Sequence, residues 1–341
     1  MEISDEVKAF RQSILDEDVA EIRRAVAANP SLVGTHVNEY RRAFCFACEQ
    51  GKLGVARLLV ELGADPREDG DFAVTRTSLH HPDVLCWLLD EFEIDPNIVV
   101  GDNWGPLILC PCETLNPGCI KVLLDRGADP NLVVPEANQQ GTAVDMVFNT
   151  YGRSGTKRLE CFRILMDHGG RLSKQIDRLA LLVHLNKLEE LDDALAAEST
   201  LVNRAIEHPT GRTGNRWLPL NDASLLHVAC EWPNEEAVRL LLRHGADPNS
   251  TAGIDENGIG GQTPLFHALS QYRYEPIAEL LLKAGADPTK KARLSGFSQW
   301  LPGDEPVIVK GTAIEYARVY PGDGHGTTKG SLEAKEALFE R

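Results

Sequence analysis

Residues Gly261 to Pro288 read GQTPLFHALSQYRYEPIAELLLKAGADP, and this stretch decides the fold. Thr263 can cap a helix with its hydroxyl, and Pro264, which has no N–H to satisfy, suits the first helical position. After a break from Tyr272 to Pro276, a second apolar run through Ile277, Leu280, Leu281 and Leu282 ends at Gly285. Glycine can take the left-handed conformation that closes a helix, and Asp287-Pro288 prevents its resumption. The unit is therefore helix, turn, helix, stop. Helices below about 12 to 15 residues are marginal alone, so each pair needs similar neighbours to cover its apolar face.

The chain supplies them. Gly-Ala-Asp-Pro recurs at Gly63–Pro66, Gly127–Pro130, Gly245–Pro248 and Gly285–Pro288, with a degenerate Ile94-Asp95-Pro96. Helix-start candidates recur at Thr77-Ser78-Leu79-His80, Thr142-Ala143-Val144-Asp145, Ser224-Leu225-Leu226-His227, Thr263-Pro264-Leu265-Phe266 and Thr312-Ala313-Ile314-Glu315. In this register Ala229, Ala268 and Ala317 align. The pattern resembles the ankyrin repeat, a unit of about 33 residues opening on threonine-proline-leucine-histidine. The resemblance implies an all-α solenoid of roughly nine helix-turn-helix units, some degenerate, with long loops projecting in the C-terminal half.

On this reading residues 1–341 form a single array. Residues 1–37 are the N-terminal capping repeat, 38–203 repeats two to six, 204–310 repeats seven and eight with enlarged loops, and 311–341 the C-terminal capping repeat. Asp16, Glu17, Asp18, Glu21, Arg23 and Arg24 suit the solvent side of a cap. Two units look irregular. Pro82 follows Thr77 too closely for an ordinary first helix, since proline in a helix interior costs ~3 kcal/mol, and Pro111 and Pro117 interrupt the fourth unit. The polar stretch Asn149–Arg158 is expected between the helices of the fifth. The sixth ends in Ser199-Thr200-Leu201-Val202, echoing Pro30-Ser31-Leu32-Val33. Gly/Pro-rich residues 321–330 precede a charged helix expected at Leu332–Arg341.

Composition narrows the partners. The chain has 51 acidic and 35 basic residues and a net charge of −16, which opposes attraction to nucleic acid or an anionic membrane. MEISDEVKAF lacks the basic start and apolar core of a secretory signal, and no run of about 18 apolar residues could span a bilayer. A cytoplasmic protein is expected. Of the eight cysteines, Cys45, Cys48, Cys86, Cys110, Cys161 and Cys230 sit in apolar helical runs, as reduced core residues do. Cys45 and Cys48 have CxxC spacing without a second pair, and Cys110, Cys112 and Cys119 form the better metal candidate; the expectation is thiols with no metal and no cofactor.

His80 and His227 occupy the repeat's histidine position, where the resemblance implies a hydrogen bond from one turn to the next. His267 and His81 stand beside such positions, and no serine or cysteine with a carboxylate falls at triad spacing from them. Gly253–Gly261 is glycine-rich but follows no apolar strand and carries Asp255 and Glu256, which would repel phosphate; it reads as a loop. The starts at Ser224, Thr263 and Thr312 are 39 and 49 residues apart, so the surplus over the repeat period is inserted loop. Three successive junctions are enlarged: 204–221, 250–262 and 289–311.

These junctions direct the functional reading. Trp217, Phe297 and Trp300 lie in them, and Trp232, Tyr272 and Tyr274 end the adjoining first helices. Tryptophan and tyrosine are favoured at interface hot spots. The expected function is a non-catalytic scaffold that binds a protein through the concave face and projecting loops. The acidic Asp255, Glu256, Asp304 and Glu305 suit a partner with a basic patch, although Lys290, Lys291 and Arg293 are adjacent. The alternative is a small-ligand or catalytic site built by the long loops.

Overall fold

A computed structural model describes residues 4–339 apart from 68–69, 71, 102–104, 135–140, 151–154, 207, 209–217, 271–274, 297–306 and 320–328. Helices dominate, in successive pairs: α1 (Asp5–Leu15) with α2 (Val19–Ala28), α3 (Ala43–Glu49) with α4 (Leu53–Glu61), α5 (Phe72–Ser78) with α6 (Pro82–Glu91), and α7 (Leu109–Glu113) with α8 (Pro117–Leu124). There follow α9 (Ala143–Asn149) with α10 (Gly155–Asp167), α11 (Arg178–His184) with α12 (Leu188–Ala197), and α13 (Leu225–Glu231) with α14 (Glu235–Arg243). The last pairs are α15 (Pro264–Ser270) with α16 (Glu275–Lys283) and α17 (Ala313–Val319) with α18 (Lys329–Ala337). The chain packs as two compact units, residues 1–147 with 160–171, and residues 148–159 with 172–341.

The start signals are reciprocal hydrogen bonds. At α9 the Thr142 N–H donates to Asp145 Oδ2 at 2.7 Å while the Asp145 N–H donates back to Thr142 Oγ1 at 3.3 Å. Thr312 and Glu315 repeat this at α17, at 2.7 and 3.4 Å. At α13 Ser224 and His227 close the same box, with the imidazole accepting where a carboxylate stands elsewhere. The stops are glycines with positive φ: +101° at Gly63, +88° at Gly127, +84° at Gly245 and +92° at Gly285. An added Cβ would meet nothing within 4 Å at any of the four, so backbone conformation and not crowding requires glycine there.

Neighbouring pairs are tied together by asparagines. Asn97 donates its side-chain N–H to Gly127 O at 3.1 Å and accepts from the Asp129 N–H at 2.8 Å. Asn131 does the same to Gly169 and Arg171, at 2.9 and 2.8 Å. In the second unit Asn203 clamps Gly245 and Asp247 at 3.0 and 2.7 Å, and Asn249 clamps Gly285 and Asp287 at 2.8 and 2.7 Å. One carboxamide thus satisfies a helix-end carbonyl and a turn N–H of the following pair. Three of the clamps are themselves set by the aspartate two residues before: Asp95, Asp129 and Asp247 accept the backbone N–H groups of Asn97, Asn131 and Asn249 at 2.9, 2.8 and 2.8 Å.

Several departures from the sequence reading have local causes. Thr77 does not open a helix: it lies in the last turn of α5, donating its hydroxyl to Ala73 O at 2.6 Å, and Pro82 is the first residue of α6. The third pair is therefore whole, shifted toward the N-terminus, and His80 falls in the turn after α5. The fourth pair is short, since Pro111 lies within a five-residue α7 and α8 opens on Pro117. Helix α10 begins at Gly155, so Arg158 is helical, and the terminal helix occupies Lys329–Ala337. The echo between the first and sixth units is structural, because Pro30–Gly34 and Ser199–Asn203 are both 3₁₀ turns entered from residues with φ, ψ of −142°, 89° and −144°, 93°.

Strands were not anticipated. Val99–Val100 (β1) pairs antiparallel with Gly105–Pro106 (β2), and Lys291–Gly296 (β3) with Val307–Thr312 (β4). No helix among the described residues is long and apolar enough to cross a membrane.

Leu281 on α16 is fully buried in the core of the second unit. Leu281→Ala is expected to cost about 2–5 kcal/mol in chemical denaturation and to reduce hydrogen-exchange protection in α13 and α14 as well as in its own pair. Loss confined to α15 and α16 would contradict this.

Candidate interaction surface

The enlarged junctions of the second unit are held together by backbone hydrogen bonds. In the first, the Ile206 N–H donates to Ala223 O at 2.9 Å. The second is anchored to it by Gly253 N–H to Asn221 O at 2.7 Å, and turns back on itself through Asp255 N–H to Ile259 O at 2.8 Å. Asp255 Oδ1 accepts the Asn257 and Ile259 N–H groups at 2.9 and 2.8 Å, so the acidic residue organises the turn. Gly260 then exchanges hydrogen bonds with Arg293 of β3, at 2.8 and 3.2 Å. Gly260 has φ +133°, and a Cβ there would sit 2.0 Å from Gly253 O, so only glycine allows this crossing. Beyond it, β3 pairs with β4. The glycine-rich loop is thus the middle of a β-ribbon linking three successive junctions.

Of the six aromatic residues singled out in the sequence, Trp217, Tyr272, Tyr274, Phe297 and Trp300 lie outside the described residues. Trp232 is 2% exposed and faces inward. Its ring lies 4.6 Å from that of His184 edge-on and 5.1 Å from that of His208 in a stack, with the Arg158 guanidinium 5.5 Å over its face. Arg158 Nη1 is 3.1 Å from His184 Nδ1, and His184 Nε2 is 2.8 Å from His208 Nε2. Because guanidinium can only donate, His184 Nδ1 accepts, and its Nε2–H points to His208. Burial first, then the charge of Arg158 and the neighbouring His208, hold the His184 imidazole far below its usual pKa. Arg158, His184 and His208 were not recognised in the sequence; they are scattered along the chain with no shared spacing.

His227, His267 and His81 are held in structural contacts. His227 accepts the Ser224 N–H on Nδ1 and directs Nε2 to Gln262 O at 3.1 Å, the turn-to-turn bond expected of it. Ser224 Oγ is 2.9 Å from the same Nδ1, but both ring nitrogens are engaged and the pair is buried, which leaves a substrate no approach. His267 Nδ1 meets Glu231 Oε2 at 2.8 Å, joining α15 to α13 in the core. His81 Nε2 faces Glu49 O at 2.9 Å.

No disulfide joins any of the eight cysteines. Burial pushes the Cys110 and Cys119 thiols up to about 12, and those of Cys48, Cys112 and Cys230 also rise well above the ordinary thiol value. Among the described residues no three His, Cys, Asp or Glu side chains are placed to hold one metal ion.

Residues 194–292 match the family described as ankyrin repeats (3 copies). Residues 194–292 carry ankyrin repeats. Over 59 residues it is 44% identical to an ankyrin repeat protein of Acanthamoeba polyphaga mimivirus, a match spanning 17% of this chain and 6% of the viral protein. The human ASB11 ankyrin repeat domain is similar at 18% identity with a TM-score of 0.42, over 73% of this chain and 100% of that one. Ankyrin repeats generally mediate protein–protein interaction and are generally not enzymes.

Two outcomes follow from the titrating groups. Cys86 is the one cysteine that is not buried, so a colorimetric thiol reagent should modify it in the native protein while the other seven react only on unfolding. Rapid native-state modification of Cys110, Cys112 or Cys119 would contradict the packing described. Burial and then His267 depress His227 to about 3 from an ordinary 6.5. The unfolded chain therefore takes up a proton that the folded one refuses, so the contribution is whole above pH ~6.5 and is lost as pH falls toward the folded value. His184 acts in the same direction. Denaturation between pH 7 and 5 should show stability falling by up to ~1.4 kcal/mol per pH unit for each such histidine, and His227→Gln should flatten the slope.

Proposed function

We propose that this chain is a non-catalytic, cytoplasmic scaffold whose ankyrin repeats bind a protein partner through the loops of residues 204–311 and the adjoining first helices. The observation that carries the reading is the hydrogen-bonded ribbon from Ile206 through Gly253 and Gly260 to β3 and β4, which ties described residues of three successive insertions to one another. Hydrogen-bonded backbone of this kind lowers the entropy lost on association. Loops held on a rigid scaffold commonly carry binding. The net charge of −16 favours a partner with a basic patch for long-range steering. Trp217, Tyr272, Tyr274, Phe297 and Trp300 are proposed as the partner-binding anchors, with the buried Trp232 in a supporting role beneath His208 of the 204–221 junction.

A second reading, a small-ligand site built by the loops, draws on the buried Arg158, His184 and Trp232 with the half-buried His208. Purification of the full chain from its native cell separates the two: a stoichiometric protein supports the scaffold, and a bound metabolite detected by mass spectrometry supports the alternative. With the co-purified partner, Trp217→Ala and Trp300→Ala should each weaken binding by about 2 kcal/mol or more in calorimetric titration without changing helical circular dichroism. Unchanged affinity in both variants would place the interface elsewhere.

A further inference from the structure

The outer edge of the ribbon carries charge opposite in sign to the molecule as a whole. Arg293 spends its backbone N–H and C=O on Gly260, so in the β3–β4 ladder Arg293 and Lys310 form a pair that exchanges no hydrogen bonds. In antiparallel sheets the alternation of such pairs then fixes the rest: Ala292 with Gly311 and Leu294 with Val309 are bonded, while Ser295 with Ile308 is not. It follows that the backbone groups of Ile308 and Lys310 point away from β3, along the edge of the ribbon. Among the described residues no backbone partner meets them there.

The side chains sort by the same alternation. Ala292 and Leu294 face the core and are buried, and Lys291, Arg293, Ile308 and Lys310 are exposed on the other face. Non-bonded pairs bring side chains closest, so Arg293 and Lys310 place two like charges directly opposite each other, an arrangement that ordinarily destabilises a sheet. Arg293 Nη1 donates to Asn257 O at 2.6 Å, a neutral acceptor that does not cancel its charge. Among the described residues two acidic groups at the ribbon's flanks are committed: Asp255 caps its own turn, and Glu315 closes the start of α17, where hydrogen bonds from the Thr312 backbone and hydroxyl, and to a lesser degree Lys291, lower its carboxyl pKa. Glu256 is exposed on the same turn as Asp255.

We propose that β4 docks an extended acidic segment of a partner protein, which adds as a further strand at Ile308 and Lys310 and sets a carboxylate against the Arg293 and Lys310 pair. An added strand would satisfy the outward N–H and C=O groups of the edge. Its carboxylate would convert the cross-strand repulsion into two attractions, and its apolar neighbour would cover Ile308, which is 49% exposed. This deepens the protein-binding reading above and rests on it. The partner would be basic where it meets the protein's overall field and acidic where it meets this edge.

The test uses the full chain and a fluorescein-labelled, end-blocked peptide of alternating Glu and Val, read by anisotropy at low salt. Binding is expected for this peptide and not for its Lys-Val counterpart, nor for a version N-methylated at alternate amides. Lys310→Pro removes the outward N–H and one charge while leaving the β3 hydrogen bonds of Val309 and Gly311 in place, and should weaken binding at least about tenfold. Arg293→Gln, which keeps a donor toward Asn257, should weaken it in the same direction. No binding of the Glu-Val peptide, equal binding of the Lys-Val peptide, or full affinity in both variants would overturn the proposal. The native co-purified partner distinguishes the levels: if it is recovered and binds Lys310→Pro as tightly as wild type, the edge assignment fails while the scaffold reading stands, and if no protein is recovered the scaffold reading itself fails.

Discussion

A carboxamide that reaches across from one helix pair to the next is the interaction on which the rest of this structure depends. Short helix pairs have little stability alone, and stacking them requires that the exposed ends of one pair meet matching groups on its neighbour. Asn97 and Asn131 in the first unit, and Asn203 and Asn249 in the second, each supply one donor and one acceptor to the glycine carbonyl and the turn N–H two residues later. The glycine matters twice over. Its left-handed φ ends the helix, and the same turn aims its carbonyl at the asparagine.

Once the spacing of pairs is fixed in this way, the loops between them are fixed too. The register that places α13 beside α15 also lets His227 reach Gln262 and Glu231 reach His267, two buried polar contacts that specify how these helices align. Above them, the junctions come close enough to exchange backbone hydrogen bonds, and Gly260 permits the tightest crossing. A charged segment such as KARLSG therefore becomes a strand because its neighbours offer a ladder, with Ala292 and Leu294 supplying the buried face. The ribbon is thus a consequence of repeat geometry rather than of any single loop.

Much of this was legible in the sequence. Gly-Ala-Asp-Pro marked four helix ends, and Thr-x-x-Asp, Ser-x-x-His and Thr-x-x-Glu marked starts that the structure closes as capping boxes. Thr77-Ser78-Leu79-His80 misled because it has the composition of a start while Pro82, fit only for a first turn, claims the next helix. Asn97, Asn131 and Asn249 each stand directly after Asp-Pro, yet their partners lie 30 to 40 residues away in the chain, a separation that local pattern reading does not see. The same distance hid Arg158, His184 and His208. Trp232 was visible as an aromatic at a helix end, but its burial depends on those three side chains and could not be inferred without them.

Native-state hydrogen exchange on Asn203→Ala tests the clamp most directly. Asn203 stands in the 3₁₀ turn after α12 and holds Gly245 and Asp247, beyond α14, so the substitution removes a bond between pairs without touching the core of either. The clamp account predicts a loss of about 1–2 kcal/mol in global stability and faster exchange on both sides of the lost bond, in α11 and α12 as well as α13 and α14. Faster exchange at the Asp247 amide alone, with global stability unchanged, would contradict it.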